Sequence, residues 1–549
     1  MSARAPYAAL AVVMAGCFAL LMWAGRGTTF FYDDWVYVLE RSGWHTRALF
    51  APHVDHLQVV SVFIYKVMFE TVGLHEYWPY RAVLAVTNVG TGVLLFVYGR
   101  RRIGPWPSIA LAVCLVAMAP SWYNLLFAFQ INYVGACAAG LGALLLFDRE
   151  PLTRRSDAFA SFLLCVSIGS SSVGFAFLIA AIVEVLLRRD RVARLWVVAV
   201  PIVLYGLWRL KYGTSTGAKA SNLDAVPGWI LDGLDDSAAA IVGTSVEFGV
   251  VVAALLVALV IREVSDRART TPRLIALIVA PLALWALTAL GRADQGLQAD
   301  ENRYLYVTGL LLALLGMEAA RRYALGRRAV VAITVLLAFG AVTNAVGVEG
   351  GGDTFRGFSG GGKDAATALD LAGHLKAPDF GGADPTQSFV KAGPYLAAVA
   401  HYGSSPGYTM EELLAEDPEA QRGVDQALKR VHGSRLEVVE DATIAAPAPT
   451  VEGEARGSAE PRGRCVRFTP SDVDGELDVL LPATGLVVRA GEGELSLWVR
   501  RFSPLYSADP HGKLTAGQTG RIEFGPDKAP QPWHARMRSG SPFEVCTET

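Results

Sequence analysis

From residue 7 to about residue 347 the chain offers one apolar segment after another, each near the length needed to cross a bilayer. The segments run over about 7–25, 80–99, 106–119, 124–147, 158–169, 173–187, 195–211, 237–261, 274–291, 304–320 and 329–347, eleven in all. In lipid every backbone polar group must be satisfied internally, so segments of this kind have to be helices. Composition agrees: 52% of residues are hydrophobic and 18% charged, where soluble domains carry about a quarter charged. The expected fold is an α-helical polytopic membrane protein of about eleven transmembrane helices, followed by a C-terminal extracytoplasmic α plus β ectodomain. A net charge of -2 excludes general nucleic-acid binding.

Arginine sets the orientation. Of 49 basic residues nine are Lys, leaving 40 Arg, which with abundant Ala, Gly and Val points to a GC-rich bacterial genome, and with the apolar segments to the bacterial plasma membrane. With the N-terminus cytoplasmic, the inner loops hold Arg100–Arg102, then Arg149, Arg154 and Arg155, then Arg188–Arg194, Arg262–Arg273 and Arg321–Arg328. The outer turns 120–123 and 170–172 hold no Lys or Arg, a positive-inside pattern. The first apolar segment has no small-x-small site before Arg26 and is expected to stay uncleaved. Segments 158–169 and 173–187 are short and joined by Gly169-Ser170-Ser171-Ser172. They read as a hairpin that borders a protein-lined cavity or makes a small-residue helix contact.

An odd number of spans puts everything after about residue 348 outside. The expected organisation is 1–347 transmembrane, 348–440 extracytoplasmic and helical, 441–463 linker, and 464–549 a small β-sandwich-like module. The Gly350–Gly352 and Gly360–Gly362 clusters read as a linker at the start of the ectodomain. Leu495, Leu497 and Val499 alternate with Ser496, Trp498 and Arg500, the pattern of a half-buried strand. Cys465 and Cys546 bracket the last module and read as a disulfide in an oxidising compartment.

The residues able to carry chemistry gather on the outer side. Asp33 and Asp34 follow the first span directly; adjacent carboxylates there can hold a divalent cation or take a proton from a hydroxyl, or form a solvated acidic turn. His53, Asp55 and His56 precede an interfacial amphipathic stretch at 57–74; His56 can bind phosphate or cap that helix. Gln130 and Asn132 lie within a span, where uncharged polar groups often line a cavity. Arg303 opens a late span from the outer side, where its guanidinium reaches an anionic headgroup or serves as an anchor; Tyr304 and Tyr306 suit the aromatic belt. No Walker loop, dinucleotide fingerprint or HExxH appears in a fitting context, so a donor is expected from the membrane.

This layout resembles the GT-C class of polytopic glycosyltransferases, similar to protein mannosyltransferases and aminoarabinose transferases, which use polyprenyl-phosphate sugars. The resemblance rests on YDDW at 32–35 after the first span, PHVDHL at 52–57, WPYR at 78–81 and RYLY at 303–306, across most of residues 1–347. The ectodomain resembles those of actinobacterial members more loosely. The resemblance implies an inverting transferase with Asp33 or Asp34 as base and a divalent metal (Mg or Mn) near Asp34. It implies donor phosphate at Arg303 and His56, and His53, Gln130, Asn132 and Tyr304 along the cavity. Its partners would be a polyprenyl-phosphate sugar, an envelope acceptor and membrane lipids. Rival readings are a transporter or flippase of lipid-linked material, a non-catalytic protein acting through its ectodomain, and a glycan polymerase or ligase with a lipid-diphosphate donor.

Overall fold

The computed structural model describes residues 4–148, 153–213, 217, 219–323, 326–373, 390–440, 442–445 and 447–548. Among these, nine helices are long and apolar enough to cross a membrane: Ala5–Ala24, Trp78–Gly99, Pro105–Leu126, Ala128–Phe147, Arg191–Tyr212, Val246–Ser265, Pro272–Gln295, Asn302–Ala320 and Arg327–Ala372. The chain is thus a mostly helical multi-pass membrane protein with a C-terminal sheet domain. The count falls below eleven because Arg154–Ser170 and Gly174–Leu187, although present as helices, have only 17 and 14 residues. Ser171 is extended between them, and a Cβ on Gly174 would lie 2.5 Å from the Ser167 carbonyl, so the turn is too tight for a side chain. Arg149 lies outside the described residues.

Two expectations give way to glycine chemistry. The apolar stretch expected over 237–261 is two helices, Val226–Val242 and Val246–Ser265. Gly243 separates them at φ 65, with Thr244 N–H donating to the Ala239 carbonyl, a left-handed helix end that favours glycine. Glu247 lies in the first turn of helix Val246–Ser265. The glycines at 350–362, expected as a linker, lie inside helix Arg327–Ala372. A glycine costs about 1 kcal/mol in a helix interior, and here it permits close approach. A Cβ on Gly351 would meet Trp122 at 2.3 Å and one on Gly352 the Ala24 carbonyl at 2.1 Å.

The chain forms two compact units. One comprises Met1–Thr28, Arg41–Val72 and Tyr77–Gly357; the other comprises Thr29–Glu40, Gly73–Glu76 and Phe358–Thr549. The long segment of the first unit ends at Gly357, and the segment bearing Asp33 and Asp34 belongs with the C-terminal unit. In the first unit, helix Asn302–Ala320 is the most enclosed of the nine, followed equally by Pro105–Leu126 and Ala128–Phe147.

In the second unit, helices Ala392–Tyr402, Met410–Ala415 and Pro418–His432 precede the strands, and residues 374–389 lie outside the described residues. Thr409 and Glu412 form a capping box. One antiparallel sheet orders Glu437–Val439, Thr519–Ile522, Leu486–Ala490, Phe543–Glu548, Cys465–Pro470 and Gly457–Arg462, with Ile444–Ala445 beside Phe543–Glu548. The other orders Val451–Glu452, Gly475–Leu481, Trp533–Ser539, Leu495–Arg500 and Gly512–Leu514. Leu495, Leu497 and Val499 are buried while their neighbours are half-exposed. Cys465 and Cys546 are register partners joined by a disulfide. Asp425 fastens the last helix to the strands, its carboxylate accepting from the backbone N–H groups of Arg501, Phe502 and Ser503 at 2.9, 3.0 and 3.2 Å.

Candidate functional site

In the first unit, the loop 41–57 is held from within. The buried Arg41 guanidinium donates to the carbonyls of Ala51 (2.8 Å) and Pro52 (2.9 Å), and Lys66 donates to the carbonyl of Arg41. Trp208 anchors the same loop through its indole N–H to the Phe50 carbonyl at 2.8 Å. At its end, His53 and His56 exchange backbone hydrogen bonds of 3.0 and 2.9 Å around a two-residue turn. Both central residues have positive φ, Val54 at 43 and Asp55 at 74, the type I′ pattern. A β-branched valine is poorly suited to that region, so the turn stores strain.

The turn directs the two histidines differently. His53 is buried, its ring 5.2 Å from that of Phe129. His56 meets Arg292 instead, with Nη2 to Nε2 at 3.1 Å. A guanidinium only donates, so His56 Nε2 accepts and the ring proton sits on Nδ1. Burial, then the neighbouring Arg292, pulls the His56 pKa down to about 4, and Arg209 adds to the effect. Near neutral pH His56 is therefore a neutral acceptor that fixes a cation in place.

Arg292 ends helix Pro272–Arg292, Arg209 lies in the last turn of Arg191–Tyr212, and Arg303 opens Asn302–Ala320. Arg292 also lies near the buried Tyr304. Arg303 sits over the Tyr304 ring at 5.4 Å, and its Nε is buried without a hydrogen-bond partner. Among the described residues neither Arg292 nor Arg303 has a carboxylate within ion-pair distance, whereas nearby Lys219 is paired with Asp294. Asn124 reaches Gln130 at 3.2 Å and the carbonyls of Asn302 and Arg303 at 3.0 and 3.2 Å. Asn132 is fully buried with both amide atoms unpartnered among the described residues. Buried polar groups are nearly always satisfied, so an orphaned amide marks a place for a water or a polar ligand.

The structure thus gathers His56, Arg292 and Tyr304 in one unit, with Gln130 linked to the backbone of Arg303 through Asn124. Arg209 and Arg292 were not singled out in the sequence. The available signal was their position: cations at the ends of two spans whose opposite ends already carry the arginine clusters.

Asp33 and Asp34 open the helix Asp33–Glu40 of the other unit. Tyr32, just before them, has φ 40. Asp34 is fully buried, and its Oδ2 accepts from the Phe31 N–H at 3.1 Å, the role of a helix-start carboxylate. Asp33 is half-exposed. Among the described residues no three of His, Cys, Asp and Glu come together as a set able to hold a metal ion. The donor set therefore does not fit the divalent ion expected beside Asp34, and no step is assigned to one.

No family profile matches the chain. No curated protein matches it either. Among solved structures it is similar to ArnT from Cupriavidus metallidurans, in a crystal structure described as bound to undecaprenyl phosphate; identity is 13%, the TM-score 0.47, and the match covers 71% of this chain and 85% of that one.

Proposed function

We propose that the chain is a membrane glycosyltransferase that moves a sugar from a polyprenyl-phosphate donor to a cell-envelope acceptor on the outer face of the membrane. The observation that carries this reading is that Arg292 and Arg303 both lie near Tyr304 and have no carboxylate partners among the described residues. Half-buried guanidinium groups at helix ends suit a phosphate monoanion or dianion, which they can grip with paired N–H donors. The neutral His56 holds Arg292 without neutralising it.

In the proposed reaction the acceptor hydroxyl gives its proton to an acidic residue of the first outer loop. Its oxygen attacks the anomeric carbon, the bond from that carbon to the phosphate oxygen breaks, and the configuration inverts. The polyprenyl phosphate leaves with the electron pair, its growing charge met by Arg303 and Arg292. Asp33, the more exposed carboxylate, is assigned as base, and Asp34 as the residue that fixes the start of its helix.

The test is mass spectrometry of cell-envelope glycans from cells with the protein, without it, and with Asp33→Asn or Asp34→Asn. Loss of one glycan linkage on deletion, unrestored by Asp33→Asn, supports the reading. Full restoration by both single variants and their double variant overturns the catalytic assignment. An unchanged envelope on deletion, with lipid-linked sugar accumulating on one membrane face, favours transport.

A further inference from the structure

A second arginine cluster in the first unit has no part in the proposed transfer. It surrounds a cavity of about 710 Å³ lined by Arg101, Arg102, Arg188, Arg189, Arg273 and Arg321 together with Asp148, Glu184 and Asp190. The carboxylates are engaged in a chain of ion pairs. Arg273 binds Glu184 (2.5 Å) and approaches Asp148 (3.4 Å); Arg102 binds Asp148 (2.9 Å) and Glu318 (2.6 Å). Arg188 pairs with Glu184 and Asp190 at 3.5 and 3.3 Å, and Arg321 with Glu318 at 2.7 Å. Even with Glu318 included, six guanidinium groups face four carboxylates.

The surplus has an address. Arg101 and Arg189 are exposed and have no carboxylate within ion-pair distance among the described residues. Arg273 is buried, and its Nη1, 3.4 Å from Asp148, makes an ion-pair contact but no hydrogen bond. The first turn of helix Pro272–Arg292 also borders the cavity through Thr271 and Pro272, adding the positive end of a 21-residue helix dipole. Leu187 lines the same cavity and is about half exposed, as is its neighbour Leu186, so an apolar flank adjoins the charged wall.

We propose that this cavity binds a phosphate-bearing anion, with Arg101 and Arg189 closing on the phosphate and the buried Arg273 edge behind them. Fixed guanidinium groups next to exposed leucines suit an anionic lipid headgroup whose chains lie along the bundle. A soluble phosphate compound offers the same chemistry without the chains.

The experiment uses the full-length protein, purified and delipidated, and an Arg101→Gln/Arg189→Gln double variant; both side chains are exposed and have no carboxylate partner among the described residues, so the described fold does not depend on them. Native mass spectrometry compares retention of phosphatidylglycerol with phosphatidylcholine, and calorimetry titrates inorganic phosphate. A preference of at least fivefold for phosphatidylglycerol that drops below twofold in the variant supports the proposal with a lipid as source. A saturable phosphate titration weakened at least fivefold in the variant, without a lipid preference, supports it with a soluble source. If wild-type protein shows neither, or the variant matches it in both, the proposal is overturned. Should the double variant aggregate, Arg189→Gln alone is read by the same thresholds, and the wild-type arm stands by itself.

Discussion

Helix Pro272–Arg292 carries an arginine near each end, and the two live in opposite chemistries. Arg273 and Arg292 are nineteen residues apart, about 28 Å along the axis at 1.5 Å per residue. Arg273 is buried among carboxylates and donates to Glu184 twice and to the Leu144 carbonyl at 2.9 Å. Arg292 has a neutral histidine and the Gln295 amide oxygen at 2.9 Å. The same contrast recurs on Asn302–Ala320, where Glu318 holds two arginines and Arg303, at the other end, is held by an aromatic ring. An arginine whose charge is met inside the protein is committed to structure. One held only by neutral groups keeps its charge for something outside.

If that difference is real, the two arginines fail differently. Arg273→Ala leaves Glu184 buried beside an empty space, and removing one partner of a buried pair costs about 3–5 kcal/mol. The expected result is a large fall in thermal midpoint or loss of folded protein, partly restored by Glu184→Gln in the same chain. Near-normal stability of Arg273→Ala breaks the comparison at its stronger end.

Arg303→Ala and Arg292→Ala should leave the thermal midpoint nearly unchanged. Each removes a charge-assisted contact worth about 1.5–3 kcal/mol to a bound phosphate, a loss of about 10- to 150-fold in affinity. Equilibrium binding of polyprenyl phosphate to the purified protein measures it. Unchanged binding with reduced stability would move both residues to the structural class.

His56 sharpens the same point through pH. Its folded pKa, about 4, lies below the ordinary 6.5, so the unfolded chain binds the proton more readily. The stability this contributes is complete above about pH 6.5 and is lost as pH falls through 4, by at most about 3 kcal/mol. Below that range His56 becomes a second cation facing Arg292, and polyprenyl phosphate binding should change in the same window. His511, which burial likewise brings to about 4, adds a stability signature from the β module. His56→Gln must therefore abolish the pH dependence of binding, and His511→Gln must leave it intact.

Much of this arrangement is legible in the sequence where chemistry is local. Membrane-length apolar runs specify helices because lipid leaves no other solution, and strand alternation at 495–500 specifies a face. The helix Val226–Val242 was hidden because Asp232, Asp235 and Asp236 make its polar side resemble a loop. Gly351 and Gly352 pack against Trp122 and the Ala24 carbonyl, contacts over two hundred residues away that no local pattern carries. The site divides in the same way. Arg303 and His56 were visible as polar residues at span ends, but the Arg292 to His56 contact joins positions 236 apart and needs the fold. Asp33 and Asp34 are readable as a dipeptide, while their different burial depends on tertiary packing.

The smallest effect tests how the cluster of His56 and Arg292 is aimed. Val54 and Asp55 hold positive φ in the turn that presents His56. Glycine adopts that conformation without the penalty of a β-carbon, so Val54→Gly relieves about 1 kcal/mol of native strain but adds about as much backbone entropy to the unfolded chain. The expected change in thermal midpoint is therefore close to zero. Val54→Pro cannot reach positive φ and must break the turn, releasing His56 from Arg292. Phosphate binding should then fall toward the level of Arg292→Ala, although Val54 is exposed and bears no charge. If Val54→Pro binds as wild type does, the strained turn does not aim the cation, and the contrast between the two ends of the helix rests on arginine environment alone.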